Sequence, residues 1–430
     1  MSMIDLQPVK GTRDFYPPQL RLRNWLFNSW RKSAQQAGFE EYDACVLEHE
    51  ALYIRKAGDE ISQQLYNFED NSARRLSLRP EMTPSLARMI LQKQKSLSYP
   101  VRWFSIPQCF RYERMTRGRK HEHYQWNLDI IGEPTILAEV EIISTLIRSL
   151  KKLGLDSQDF RIFINDRRIL NAMLDQLKVP QDLQHSVLVV LDKRDKLPVD
   201  VLRSELANQG LNDNQAAQLI QFLELPDFKA VAERLENQDV LNELKNILDQ
   251  FQKMELGTYL QFDISIVRGL SYYTGTVFEV NTPTKSSRAI SGGGRYDSLL
   301  SAFGGPAIPA VGFGFGDVVI LEILQETKKL PELKQELDLV IFALDSHHDE
   351  IAMRIAHQLR DAGLRIQTQF GQLKMQKALQ HANNLEVAFA IFCFPDELNR
   401  DEVVIRDLHN REQKACPLSK VTDLSWMGNA

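Results

Sequence analysis

The chain has 430 residues, too many for one ordinary hydrophobic core, and points to roughly two to four domains. With 43% hydrophobic and 25% charged residues it has the make-up of a soluble globular protein, without the ~20-residue apolar run of a membrane helix or the apolar start of a secretory signal. A net charge of -5 excludes a surface coated in basic groups, though not a local patch for nucleic acid. No membrane partner is expected. Cys45, Cys109, Cys393 and Cys416 lie far apart with no C-x-x-C spacing, so reduced thiols in a cytoplasm are expected rather than disulfides or a zinc knuckle. His121-Glu122-His123 and His347-His348 lack the spacing of a helical metal site, and no metal site is assigned.

In chain order, Gly11-Thr12-Arg13-Asp14 leads to Pro17-Pro18 at a helix start, where a missing N–H costs nothing. Trp25, Leu26, Trp30, Ala34 and Ala37 follow at helical spacing, and Gly38 is the expected stop. A second helix is expected from Thr83-Pro84, with Thr83 as N-cap and Leu86, Met89 and Ile90 as its buried stripe. Phe110 to Gly132 reads as a β-hairpin turning around Arg117-Gly118-Arg119. Strand alternation puts Arg111 and Glu113 on one face, and Gln125, Asn127 and Asp129 on one face with Trp126, Leu128 and Ile130 opposite. A sheet face bearing an Arg, two acids and amides stocks a pocket for a small charged ligand, although a solvated face is the common alternative.

Gly132 to about Leu153 reads as helical, and residues 165–256 as a helical insertion rich in Leu, Asn, Gln, Asp and Lys. Strand character returns with Gln261–Val267 and Thr276–Val280. Ser291-Gly292-Gly293-Gly294-Arg295 and Val311-Gly312-Phe313-Gly314-Phe315-Gly316 lack the Rossmann and P-loop spacings, and tight turns and close backbone approach to a ligand account for the glycines. After a charged linker, residues 336–430 alternate strand and helix, as a compact α/β domain with a mostly parallel sheet does.

Four clusters remain: Arg79-Pro80-Glu81-Met82-Thr83, the hairpin, Val267-Arg268-Gly269-Leu270-Ser271-Tyr272-Tyr273-Thr274-Gly275, and the glycine-rich tract with Tyr296-Asp297. Together they resemble the class II aminoacyl-tRNA synthetases, and among them the histidyl-tRNA synthetases, nearly end to end. Phe110–Gly132 resembles motif 2, Pro309–Gly316 the start of motif 3, and Val267–Glu279 and Ser291–Asp297 the two histidine signatures. The resemblance implies an α+β catalytic domain, an antiparallel sheet flanked by helices, over residues 1–164 and 257–328. It implies that residues 165–256 are an insertion and that 336–430 form an α/β anticodon-binding domain.

The activity so implied is ATP-dependent ligation of L-histidine to tRNA(His) through a histidyl-adenylate, with Mg2+ accompanying ATP and no tightly bound cofactor. Carried over residue by residue, Arg111 and Arg268 are the catalytic arginines. Histidine is expected to bind to Glu81, Met82, Thr83, Arg111, Gln125, Asp129, Arg268, Tyr272 and Tyr273. ATP is expected at Arg111, Glu113 and Arg119, and tRNA at Arg114 and Arg117. A cytoplasmic homodimer joined through the N-terminal domain is implied as well.

Three positions depart from the pattern. Val319 or a neighbour stands where the family carries a motif 3 arginine for the terminal phosphate, leaving Arg119 and Arg117 at the hairpin tip as candidate substitutes. Cys45 replaces the motif 1 proline, and Ser271 an aspartate. The missing arginine keeps open an alternative, a non-catalytic histidine-binding paralogue of the kind that regulates ATP phosphoribosyltransferase.

Overall fold

Pro17 and Pro18 occupy the first turn of helix α1 (Pro17–Gln36), and Gly38, at φ +76°, turns the chain away after it. Its buried residues Leu26, Phe27, Trp30 and Ala34 face a large sheet, where Trp30 stacks on Trp126 with ring centroids 5.9 Å apart. The computed structural model describes residues 5–54, 63–191, 194, 197–267, 273–286, 288–369, 371 and 373–427. The chain divides into two units, Met1–Leu330 and Pro331–Ala430.

The strands of the first unit are β1 (Glu40–Glu41), β2 (Leu47–His49), β3 (Asn67–Glu69), β4 (Arg75–Leu78), β5 (Val101–Ser105) and β6 (Gln108–Phe110). They continue with β7 (Glu122–Ile131), β8 (Arg161–Asp166), β9 (Leu260–Phe262), β10 (Thr276–Asn281), β11 (Ser291–Arg295) and β12 (Ala310–Gly316). The main sheet runs β1-β5-β7-β12-β11-β10-β8-β9, with β6 pairing the start of β7. Its interior is antiparallel, and only the outer pairs β1/β5 and β8/β9 are parallel. Strands β2, β4 and β3 form a separate small sheet.

Three further helices frame the main sheet: α2 (Thr83–Lys93), α3 (Leu137–Lys152) and α4 (Asp317–Glu326). Between β8 and β9 the described residues form six helices, from Arg167–Gln176 to Asp239–Lys253, whose buried Leu, Val and Phe side chains are continuous with the core under the sheet. The chain thus leaves the sheet at β8 and returns beside it at β9.

Several expectations are corrected. The glycine-rich tract is not a set of turns: its residues form the two central strands β11 and β12. The physical reason is alternation. Val311, Phe313 and Phe315 enter the apolar core, while Gly312, Gly314 and Gly316 line the other face. The strand expected over Gln261–Val267 is confined to β9, and Asp263 begins a turn in which its side chain accepts from Ser265 N at 2.8 Å. Thr83 is the first residue of α2 rather than its cap; Met82 holds the cap position without a side-chain bond.

The second unit carries β13 (Leu339–Ala343), β14 (Ile366–Gln369), β15 (Phe389–Cys393), β16 (Glu402–Asp407) and β17 (Gln413–Pro417), in the order β14-β13-β15-β16-β17. Only β14, β13 and β15 are parallel; β16 and β17 add an antiparallel edge, so the sheet is mixed rather than mostly parallel. Helices α5 (Asp349–Asp361) and α6 (Met375–Asn384) cover opposite faces. Burial on both sides explains the unbroken apolar run of β13.

The glycines of β12 carry a stability prediction. A Cβ at Gly312 would lie 2.7 Å from the Leu128 carbonyl oxygen, which the sheet holds in place, whereas none of the surrounding atoms comes within 4 Å of one at Gly316. Gly312→Ala is expected to destabilise the first unit by about 1–3 kcal/mol through overpacking, and Gly316→Ala to stay within about 0.5 kcal/mol. Chemical denaturation of the two variants beside the parent checks this; equal midpoints would contradict it.

Candidate functional site

The floor of the site is the face of the sheet that the glycines leave open. On β7, His123, Gln125, Asn127 and Asp129 alternate onto this face, with Gly316, Gly314 and Gly312 paired beside the last three. Gly292 and Gly294 of β11 continue it, and Glu279 of β10 pairs with Gly292 at its far side. Side chains at 312 and 314 would collide with Asp129 and Gln125, so glycine keeps this floor free for the polar groups of β7. Gln125 Nε2 donates to Asn127 Oδ1 at 2.9 Å, and Asp129 accepts a hydrogen bond from the Tyr296 hydroxyl.

Burial pushes the Asp129 carboxyl up to about 7, with the Tyr296 hydrogen bond opposing the shift. Desolvation pushes the His123 imidazole down to about 3, and Arg111 adds to the effect, so the ring is neutral at pH 7.

One wall is the loop between β6 and β7. Arg111 and Glu113 lie in this loop, not on a strand, because β6 ends at Phe110 and the pairing resumes only at Glu122. Arg111 is held by its backbone N–H to the His121 carbonyl at 2.8 Å and by Nε to the Pro80 carbonyl at 2.9 Å. The second bond ties it to the segment that starts α2. There Arg79 is buried and donates to Asp43 Oδ1 at 2.7 Å and to the Ala44 carbonyl at 2.8 Å, fixing the turn on which Glu81 and Met82 are buried. Thr83, half-buried, follows. Arg119 Nη1 lies 3.2 Å from a Glu113 carboxylate oxygen.

Loop and floor enclose a cavity of about 210 Å³. Arg111, Glu113, Arg119 and Gln125, all singled out in the sequence, line it together with Lys120 of the hairpin tip and with His123 and Arg288, which the sequence reading does not place in the site. His123 was legible, since it continues the alternation of Gln125, Asn127 and Asp129 by one step. Arg288 belongs to no recognised motif and comes into the cavity from the segment before β11.

Asp129 and Tyr273 lie deeper, near the small core under α2: Tyr296 bonds Asp129, and the Tyr273 ring packs close to Gly294. Arg268 and Tyr272 lie outside the described residues. The hairpin-tip cations separate. Arg117 pairs with Glu322, at 3.6 Å, and with Glu326 on α4, away from the cavity, and Arg114 is exposed.

Other signature residues prove to be structural. Arg13 of the opening segment bridges Glu122 at 2.6 Å and Asp317 at 2.9 Å, joining the starts of β7 and α4. Arg295 is buried against Glu139 of α3 at 2.6 Å and donates to the Thr135 carbonyl, clamping β11 to that helix. A wider hollow of about 770 Å³ touches His49, Glu50, Ala51, Ile54 and Arg75. Its acid, Glu50, is already paired with Arg75 at 2.8 Å, so the convergent chemistry belongs to the smaller cavity.

The chain is similar to known proteins over nearly its whole length. The sequence model of histidyl-tRNA synthetase matches residues 11–316, and that of an anticodon-binding domain matches residues 338–424. A chloroplastic/mitochondrial histidine–tRNA ligase of Arabidopsis thaliana is 43% identical over 97% of this chain and 86% of its own length. A histidine–tRNA ligase of Opitutus terrae is 35% identical, covering 97% of this chain and 98% of its own. In fold, the chain is similar to the crystal structure of histidyl-tRNA synthetase from Nostoc sp. PCC 7120, with a TM-score of 0.79 at 22% identity, covering 99% and 100% of the two chains. The family model over residues 11–316 and a relative 43% identical over 97% of the chain make the chain a member of the histidyl-tRNA synthetase family.

Proposed function

We propose that the chain ligates L-histidine to tRNA(His) in two steps. The histidine carboxylate attacks the α-phosphorus of ATP, the bond to the β-phosphate breaks and pyrophosphate leaves. A hydroxyl of the terminal ribose of tRNA then attacks the adenylate carbonyl and releases AMP. The observation that carries this reading is the placement of Arg111 and Arg119 on the wall of one cavity with Gln125 on its floor, while Asn127 and Asp129 continue the same sheet face beyond it.

Both reactants of the first step are anionic at the atoms that meet, so fixed positive charge there is the main catalytic requirement. Arg111, held through its Nε, can present its remaining nitrogens to the α-phosphate and carboxylate as a bidentate fork. Glu113, tied to Arg119, is suited to accept from the adenine amine. Glu81, Met82, Thr83, Gln125, Asp129 and Tyr273 are assigned to histidine, with Arg268 and Tyr272 assigned on the family pattern alone. Acceptors along the floor suit the ammonium and ring N–H groups, and a side chain unable to fill them leaves buried groups unpaired.

Mg2+ is expected to travel with ATP. It is commonly held by phosphates and one or two carboxylates, and Glu113 and Glu279 are acids close enough to act on Arg288 of the cavity. When bound, the metal neutralises phosphate charge. Arg114 and Arg117 are assigned to the acceptor end of tRNA, and residues 336–430 to its anticodon arm. A reducing, cytoplasmic location fits the four free cysteines, of which Cys45 is exposed.

Histidine-dependent exchange of pyrophosphate into ATP tests the reading. Exchange is expected in the parent, with a loss of about a hundredfold or more in Arg111→Ala. Histidine binding without exchange would instead favour the regulatory paralogue, although relatives matched over nearly the whole chain bear the ligase name.

A homodimer is proposed on the exposed apolar side chains of Val46, Leu47, Ile54 and Phe68, gathered on and beside the small sheet. Light scattering is expected to give twice the chain mass, and a monomer mass at micromolar concentration would contradict it.

The raised carboxyl of Asp129 adds a pH test. Its value of about 7 in the folded protein compares with an ordinary ~3.9 in the unfolded chain. The folded state therefore keeps a proton that the unfolded state has released. The resulting stability is fully present below about pH 4 and is lost as pH rises through about 7. Asp129→Asn, neutral throughout, is expected to lose up to about 1.4 kcal/mol per pH unit of this dependence and to gain on the parent from pH 5 to pH 8. Denaturation midpoints at both pH values check this, and a constant difference would contradict it.

A further inference from the structure

The segment before β11 brings Arg288 into the cavity opposite the loop, where its Nη1 donates to the Gly118 carbonyl at 3.1 Å. A Cβ built on Gly118 would lie 3.2 Å from Val319 Cγ2 and 3.3 Å from Arg288 Cδ, so the loop tip, the first turn of α4 and this arginine meet at one point. That turn offers the cavity only the apolar Val318 and Val319. The guanidinium of Arg288 is what brings positive charge to this corner.

Three arginines from two separate segments thus converge on one small space. Arg119 and Arg111 both depress the pKa of Arg288, after burial, while Glu113 and Glu279 only partly offset them. Like charges held together destabilise one another unless an anion joins them, and the anion that matches several guanidinium forks at once is a polyphosphate. Arg117 is drawn off to α4 and away from the cavity, whereas Arg119, paired with Glu113, and Arg288, bonded to the Gly118 carbonyl, both line it.

The geometry points to Arg288 as the residue that binds the outer phosphates of ATP, filling the role that Val319 cannot. The assignment rests on the nucleotide reading above. It also gives the Gly118 contact a purpose, since a nucleotide seated on Arg288 is coupled through that carbonyl to the loop bearing Arg111.

Calorimetric titration of the full chain with ATP and with AMP, each with Mg2+, separates outer-phosphate contacts from adenosine contacts. Arg288→Ala is expected to weaken ATP at least tenfold and to leave AMP within twofold. Arg288→Lys, which keeps the charge but not the fork, is expected to fall between parent and alanine variant. Unchanged ATP binding in Arg288→Ala, or equal losses for ATP and AMP, would overturn the assignment. A parent that binds ATP but shows no histidine-dependent exchange refutes the ligase reading while the titration still decides Arg288. A parent that binds no ATP overturns both.

Discussion

Everything in the first unit depends on one strand pair, β7 against β12, whose two faces have opposite chemistry. Below it, Trp126 and Phe315 pack against Trp30 of α1, and Phe313 and Leu128 join them in one core that holds the sheet to its helices. Above it, Asp129 and Gln125 stand beside Gly312 and Gly314, which have no side chains to crowd them. A central strand of alternating glycine gives up packing and backbone entropy. The return is a rigid polar floor whose groups are held by a sheet rather than by a loop.

The rest of the architecture holds other charged groups to that floor. Arg79 is buried under backbone carbonyls and fixes the turn bearing Glu81; Arg295 with Glu139 locks β11 to α3; Arg13 with Glu122 and Asp317 closes the base of the loop. Buried pairs of this kind add little net stability, but removing one partner strands a charge. Their contribution is positional. Arg111, Arg119 and Arg288 line the cavity itself, and burial first, then the neighbouring Arg119 and Arg111, depress the pKa of Arg288.

Much of this was legible in the chain. The alternation of Gln125 to Asp129, the Pro17-Pro18 helix start and the apolar run of β13 carry local periodicity, and local periodicity survives folding. Of the two readings the glycine tract offers, turns and close backbone approach, the turns fail, because glycine signals a turn as readily as a crowded strand face and only pairing with Asp129 and Gln125 tells the two apart. Arg111 and Glu113 were placed on a strand since their alternation is regular, whereas the backbone bonds of Arg111 run to His121 and Pro80, a pattern that no spacing announces. Arg288 was invisible for the same reason: its meeting with Gly118 joins positions 170 residues apart. Arg117, by contrast, looked like a free cation until α4 supplied Glu322 and Glu326.

The most direct test of the account is a crystal structure with a non-hydrolysable histidyl-adenylate analogue in which a sulfamoyl group replaces the phosphate. The analogue is expected to lie across the glycines of β11 and β12, with its sulfamoyl group on Arg111 and its imidazole toward Asp129. An analogue bound away from this floor, or seated with its imidazole against the arginines, would contradict it.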